Sequence, residues 1–416
     1  MNPTAVETRR FLRRRIGPVE AILLPRPGSG LIALQVYVRR GSADEGAGEI
    51  GLASFTATML KRGTESRSSA RIAFDLESLG AMAGHGAGAD SATSSLKCAV
   101  EDFPAAAEVF FDCLRRPRFD PNEVEIEREA TIAHLMRADD DKFDFTYRHY
   151  VKRLFADHGY GHLSDGEIED VEAITPEGCR DWHARRYHPD NMLIAAAGDF
   201  DSDALAGWIE PRLADWASPS GAPARCETPV AAPGGGETIE LKKELEQGFI
   251  IVGYRTPPFT HPDRAALRLA SAALGEGFSG RLFTNLRDRR SLAYAVGCSL
   301  ATQRLGGQMM LYIGTQPDRL DEAREGLLAE AEALRAAPLD AADFERARQY
   351  VAGKYIMAHQ SLAARAGFLA SWEDLGLGAE YDDRYLDDLM RVTADRVREA
   401  AERWWIEPTV AILRPE

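Results

Sequence analysis

Basic residues are in deficit in this chain: 50 Lys and Arg stand against 65 Asp and Glu in 416 residues, a formal net charge of -15. That deficit argues against nucleic-acid and anionic-membrane partners, because both kinds of binding rest on cations that neutralise phosphate. Cysteine is sparse too. The five present (Cys98, Cys113, Cys179, Cys226 and Cys298) lie far apart without a C-x-x-C pair, which excludes a zinc knuckle or a disulfide framework and predicts buried free thiols. No apolar run approaches the roughly 20 residues of a membrane-spanning helix. Arg9, Arg10, Arg13, Arg14 and Arg15 precede no apolar core of the kind a signal peptide carries, so residues 1–16 read as a solvated basic arm. A soluble, cytoplasmic protein is the expectation, or a periplasmic one if a leader has been removed. A phosphate loop is also missing: Gly84, Gly86 and Gly88 alternate, but they precede a strand and lack a following Lys-Ser or Lys-Thr.

What is present has the organisation of a duplicated α+β chain. Residues 217–236 are rich in Pro, Gly and Ser and read as a linker between an N-terminal domain, 17–216, and a C-terminal domain, 237–416. The two sides share an order of features. Arg116-Pro117-Arg118-Phe119-Asp120 and Ala337-Pro338-Leu339-Asp340 each introduce a charged helical pattern. Thr175 and Thr393 each stand as an N-cap before an acidic first turn and an amphipathic helix that leads into an apolar strand, Met192 to Ala197 and Thr409 to Leu413. Leu31 to Val38 is apolar on nearly both faces, as a covered strand should be, and Ser91 to Val100 alternates. Helical periodicity marks Ala105 to Leu114, Pro121 to Met136, Arg319 to Leu334 and Ala341 to Met357. Strands first and helices later, in each half, indicate an α+β layer fold.

The segment from Gly51 through Leu52-Ala53-Ser54-Phe55-Thr56-Ala57-Thr58-Met59-Leu60 to Thr64, preceded by Arg40-Gly41-Ser42-Ala43-Asp44-Glu45, resembles the frame GLAHFLEHMLFKGT of the insulinase, pitrilysin and mitochondrial processing peptidase family. In that family an inverted H-x-x-E-H box puts two histidines on zinc and uses the glutamate to activate water. Here the box positions are Ser54, Ala57 and Thr58. The family's third ligand, a glutamate 76 residues after the second histidine, falls on His134, at the end of Glu127-Arg128-Glu129-Ala130-Thr131-Ile132-Ala133-His134. The resemblance therefore implies a degenerate site that binds no zinc. His85, His149, His158 and His162, with Asp139, Asp140 and Asp141, show no i, i+4 histidine spacing backed by a general base and read as surface or capping groups. His183 and His188 read as exposed helix and turn residues.

A second segment, Phe278-Ser279-Gly280-Arg281-Leu282-Phe283-Thr284-Asn285-Leu286-Arg287-Asp288-Arg289-Arg290-Ser291-Leu292-Ala293-Tyr294, is similar to the family stretch whose arginine and tyrosine bind substrate beside the zinc. These match Arg287 and Tyr294, a guanidinium and a phenol suited to charge building on a tetrahedral oxygen. The pattern places Ser279 at a helix N-cap, Arg287 on the last turn and Tyr294 at the start of a strand; Ser291 stands where the family has glycine. Tyr187-His188-Pro189-Asp190-Asn191-Met192 with Gly198-Asp199 resembles a scaffold turn of the same family. The resemblance spans about residues 17–413. It implies two homologous α+β domains, each a mainly antiparallel sheet with helices on one side, as in mitochondrial processing peptidase. It further implies a non-catalytic subunit that pairs with a homologous H-x-x-E-H subunit, which holds the zinc. The pair would close as a clamshell chamber around peptide substrates. A protease-inactive structural or peptide-binding scaffold of the same fold is the second reading.

Overall fold

Eleven strands and fourteen α-helices make up the described part of the chain in the computed structural model, residues 11–156, 158–216, 218 and 225–416. The strands are β1 (Leu12–Ile16), β2 (Val19–Pro25), β3 (Leu31–Val38), β4 (Met82–Ala87), β5 (Ala92–Ala99), β6 (Met192–Gly198), β7 (Thr238–Lys243), β8 (Gly248–Thr256), β9 (Ala295–Thr302), β10 (Gly307–Thr315) and β11 (Thr409–Pro415). The helices of the first half are α1 (Leu52–Met59), α2 (Ser69–Glu77), α3 (Phe103–Arg115), α4 (Pro121–Asp140), α5 (Lys142–Phe155), α6 (Ile168–Ala173), α7 (Pro176–Arg186) and α8 (Ser202–Ala214). Those of the second half are α9 (Arg264–Gly275), α10 (Leu320–Ala336), α11 (Ala341–Ala358), α12 (Leu362–Asp374), α13 (Tyr381–Met390) and α14 (Ala394–Trp404). Among the described residues no helix is long and apolar enough to cross a membrane.

The two sheets repeat one topology. The first runs β1-β2-β6-β3-β5-β4 and the second β7-β11-β8-β10-β9. Removing β1 makes them identical in order and in direction: β2 lies parallel to β6 as β7 does to β11, and every other neighbouring pair is antiparallel. This is the α+β duplication that the sequence order predicts. Thr175 and Thr393 cap α7 and α14, their hydroxyls accepting from the Gly178 and Arg396 N–H groups.

The chain forms two compact units that interleave in sequence. One comprises residues 11–135, 163–226 and 358–383; the other comprises 136–162, 227–357 and 384–416. In the first unit, one face of the sheet packs its Val19, Leu23, Leu34, Val36 and Ile194 against α1, α3, α7 and α8. Its opposite face, with Ile22, Leu24, Leu193, Ala195 and Ala197, is covered by Ala366, Leu369 and Ala370 of α12. Every residue of β6 is buried, which is why it lacks the polar alternation of a half-exposed strand. In the second unit, α9, α10, α11 and α14 cover one face of the sheet, and α5 lies on β8 and β11. Helices on one side are thus joined by a single helix on the other, taken in each unit from the opposite half of the sequence.

Helix α5 is built for that place. Asp141 caps it by accepting from the Phe143 and Asp144 N–H groups at 2.8 and 3.1 Å, and Thr146, Tyr150 and Leu154 recur at i+4 on its buried side. Gly253 of β8 admits the Tyr150 ring: a Cβ there would stand 1.7 Å from the phenol oxygen. The acidic turn 139–141 is therefore an N-cap and ion-pair station rather than merely solvated, with Asp139 Oδ2 2.7 Å from Lys243 Nζ.

Three sequence readings are corrected on the same grounds. Leu12–Ile16 is an edge strand paired with β2, not an arm, and Arg13 is bound by Glu20, Glu373 and Glu380; Arg9 and Arg10 lie outside the described residues. His183 and His188 are buried rather than exposed. His183 stacks on Tyr187 at 4.9 Å, with Nε2 2.8 Å from the Leu114 carbonyl oxygen. Of the linker, residues 218 and 225–236 are described, and Arg225 is anchored to the Asp374 carboxylate at 3.0 Å. Among the cysteines, Cys98, Cys113, Cys179 and Cys298 are buried free thiols and Cys226 is half-buried, its N–H donating to Asp44 Oδ1 at 2.6 Å.

Candidate functional site

Helix α1 presents the degenerate motif. Gly51, at φ +87°, begins the helix in a conformation that glycine adopts without strain. Two of the helix's first N–H groups, those of Gly51 and Ala53, donate to the Glu45 carboxylate at 3.1 and 2.7 Å. Burial pushes the Glu45 carboxyl up to about 8 against the pull of those two bonds. The frame around the motif is thus held by structural demands. Gly41 has no room for a Cβ, which would meet the Gly88 carbonyl oxygen at 2.2 Å. Thr64 and Ser66 each donate to the buried Asp112 carboxylate at 2.7 Å. Burial raises the Asp112 pKa, but those bonds and Arg67 outweigh it and hold the carboxyl below its usual range.

Ser54 and Thr58, one turn apart on α1, face Glu127, Ala130, Thr131 and His134 of α4 across a cavity of about 200 Å³. Ala57, 1% exposed, is turned into the core and does not line it. The matched positions are therefore brought together save one. Ser54 Oγ donates to Asp165 Oδ1 at 2.6 Å, and Glu127 accepts from Arg62 Nε at 2.8 Å. Arg128 donates to the carbonyl oxygens of Val171, Glu172 and Ile174 at the end of α6. Nothing in the sequence marks Asp165, which sits in a loop 111 residues from Ser54 with no periodic or motif signal around it. His85, His149, His158 and His162 are not in the lining of this cavity, and His85 Nδ1 meets Ser94 Oγ at 2.8 Å.

In the other unit, Arg287 and Tyr294 flank a tight turn. Residues Phe283–Arg289 form a π-helix, not the α-helix capped by Ser279 that the pattern suggests; the residue at its N-cap is Leu282, without a side-chain cap. The wider winding carries the backbone into an abrupt reversal, where the Leu292 N–H donates to the Leu286 carbonyl at 2.8 Å. Ser291 lies at φ +50° within that reversal. Its carbonyl accepts from Arg319 at 2.9 Å, and Thr315 Oγ1 donates to the Leu292 carbonyl at 2.6 Å. Asn285 and Arg281 tie the helix to Glu330 of α10 at 2.7 and 3.0 Å.

On this braced turn both candidate donors are exposed. The Arg287 guanidinium lies over the Phe283 ring at 4.6 Å and makes no ion pair among the described residues. Tyr294, 43% exposed, immediately precedes β9 and lies under the Lys142 ammonium at 4.4 Å. Gly314 of β10 allows the ring to lie across the strand, since a Cβ there would approach it at 2.6 Å. A guanidinium without an ion pair among the described residues and a solvent-facing phenol can each donate to an oxyanion or a peptide carbonyl.

Residues 26–161 match the pattern described as "Insulinase (Peptidase family M16)", and residues 173–351 match that of the "Peptidase M16 inactive domain". The chain belongs to the M16 peptidase family. Among the relatives of this M16 chain, an uncharacterised zinc protease of Mycobacterium tuberculosis is 29% identical over 68% of the chain and 65% of its own length. The chain thus spans just under two thirds of that mycobacterial relative. An uncharacterised zinc protease of Bacillus subtilis is 22% identical over 95% of the chain and 96% of its own length. The crystal structure of a peptidase M16 inactive domain from Pseudomonas fluorescens superposes with a TM-score of 0.88 at 21% identity, covering 98% of both chains. That of a protease from Helicobacter pylori gives 0.91 at 18%, covering 98% and 99%.

The donors present do not fit the zinc that M16 implies. One imidazole, two hydroxyls and an alanine occupy the four matched positions, where zinc takes thiolate, imidazole or carboxylate in a tetrahedron. Among the described residues no group of three or more His, Cys, Asp and Glu side chains could hold a metal ion.

Proposed function

We propose that this M16 chain is the non-catalytic subunit of a heteromeric zinc metalloendopeptidase. A homologous subunit with an intact H-x-x-E-H motif holds the zinc, and this chain supplies Arg287 and Tyr294 to bind the peptide and stabilise the oxyanion. The two subunits enclose a chamber whose size selects unfolded or short peptides. One contrast supports the reading: the hydroxyl at the first matched metal position is taken up by Asp165, while Arg287 and Tyr294 stay exposed on a turn clamped from three sides.

The test is reconstitution. The chain alone cleaves no peptide, and adding the H-x-x-E-H homologue yields activity. Arg287→Ala and Tyr294→Phe each lower kcat of the mixture by about 10² to 10³, the loss measured for removing one oxyanion donor, and leave its zinc in place. Full activity in both variants would remove the basis of the proposal.

A further inference from the structure

A second cavity in the first unit, of about 470 Å³, lies between α2, α3 and β4. That volume falls within the range of small-molecule pockets, roughly 300 to 1,000 Å³. Its wall is mostly apolar: Ile72, Leu76, Ala81, Met82, Ala83 and Phe110 all face it. Met82 is 62% exposed at the edge strand, so the apolar surface continues to solvent. The polar groups on the wall are few and differ in state. Arg62 is already engaged by Glu127, which lines the cavity at Ser54. Lys61 makes no ion pair among the described residues, and Glu77 is exposed at the end of α2.

His85 adds a second donor. Its ring stacks on Phe110 at 5.7 Å and 15°. Burial, and then the nearby Lys61 charge, push its pKa down to about 4, so the imidazole is neutral at physiological pH. In the tautomer where the Ser94 hydroxyl donates to Nδ1, Nε2 carries the ring proton and has no protein partner among the described residues.

An apolar cavity with an unpaired ammonium and a neutral imidazole N–H on its wall, and its one carboxylate, Glu77, exposed at the end of α2, suits a molecule with a hydrocarbon tail and an anionic head. We propose that this cavity binds a small amphiphilic carboxylate, its hydrocarbon against Ile72, Leu76, Met82 and Phe110 and its head group at Lys61 and His85. The site is separate from the divided peptidase centre and does not depend on it. A cation in the head-group position would meet Lys61, and an uncharged analogue would forgo a charge-assisted bond.

The probe is decanoate, titrated calorimetrically into the full chain beside decanol and decylamine. Decanoate binds with one site per chain, at least about tenfold more tightly than decanol, a difference of 1.4 kcal/mol, and decylamine binds more weakly than either. Lys61→Gln brings decanoate to the affinity of decanol. Ala73→Trp, on the exposed face of α2 that lines the cavity, abolishes binding of both without lowering the melting temperature. Absence of decanoate binding overturns the proposal, as does equal binding of decanoate and decanol, or binding that survives Ala73→Trp.

Discussion

Ser291 carries a conformation that its side chain disfavours. At φ +50° a residue with a Cβ costs roughly 1 to 2 kcal/mol relative to the right-handed region, and glycine does not. Ser291→Gly is therefore expected to raise stability by about 0.5 to 1 kcal/mol after the greater unfolded-state entropy of glycine is subtracted, readable by chemical denaturation. The resemblance marks the position, since serine stands where the family pattern has glycine, but it does not show the positive φ. His183 gives a second residue-scale expectation. Burial pushes its pKa down to about 4 from an ordinary 6.5. The unfolded chain takes up a proton that the folded chain refuses as pH falls from about 6.5 to about 4, so stability declines across that window and is unaffected above it. His183→Gln should flatten this slope in a melting-temperature profile against pH, whatever its effect at neutral pH. The same burial explains why His183 misleads at the level of sequence: in a helix with three basic residues in its last turn, nothing distinguishes the one that faces Tyr187 and Leu114.

At the scale of elements, the periodic segments are legible and the irregular ones are not. Leu31–Val38 and Met192–Gly198 announce themselves as covered strands because both faces are apolar, and Thr175 and Thr393 mark helix starts because their hydroxyls accept from the exposed N–H groups. The π-helical winding of Phe283–Arg289 leaves no such trace: its apolar stripe at Leu282, Phe283 and Leu286 reads equally well as α-helix. Nor does periodicity say which sheet α5 and α12 cover, because that is fixed by shape at distant positions such as Gly253. Two substitutions examine the fit of α5. Tyr150 buries a hydroxyl without a hydrogen-bond partner among the described residues, so Tyr150→Phe should stabilise the protein by about 1 kcal/mol. Gly253→Ala drives a methyl into the same ring and should cost about 1 to 3 kcal/mol or more. Both are read by equilibrium unfolding, and opposite signs at the two positions identify the contact as tight and apolar.

For the whole molecule, the residues that hold the fold around the motif are distinct from those that line the cavity. The frame around the motif serves the fold: Gly41 for close approach, Glu45 for the N–H groups of α1, Thr64 for Asp112, Arg128 for the end of α6. Ser54, Thr58 and His134 line the cavity and take no part in those contacts. The candidate site was legible in the sequence to this extent, as matched positions, whereas the group that Ser54 meets there, Asp165, comes from a separate part of the chain. The central claim is that this chain contributes donors and its partner contributes the metal. It is tested most directly by elemental analysis of the purified complex with the H-x-x-E-H homologue, together with each chain alone. The account predicts one zinc per pair, retained by the partner alone and absent from this chain. One zinc on this chain, or two per pair, would contradict it.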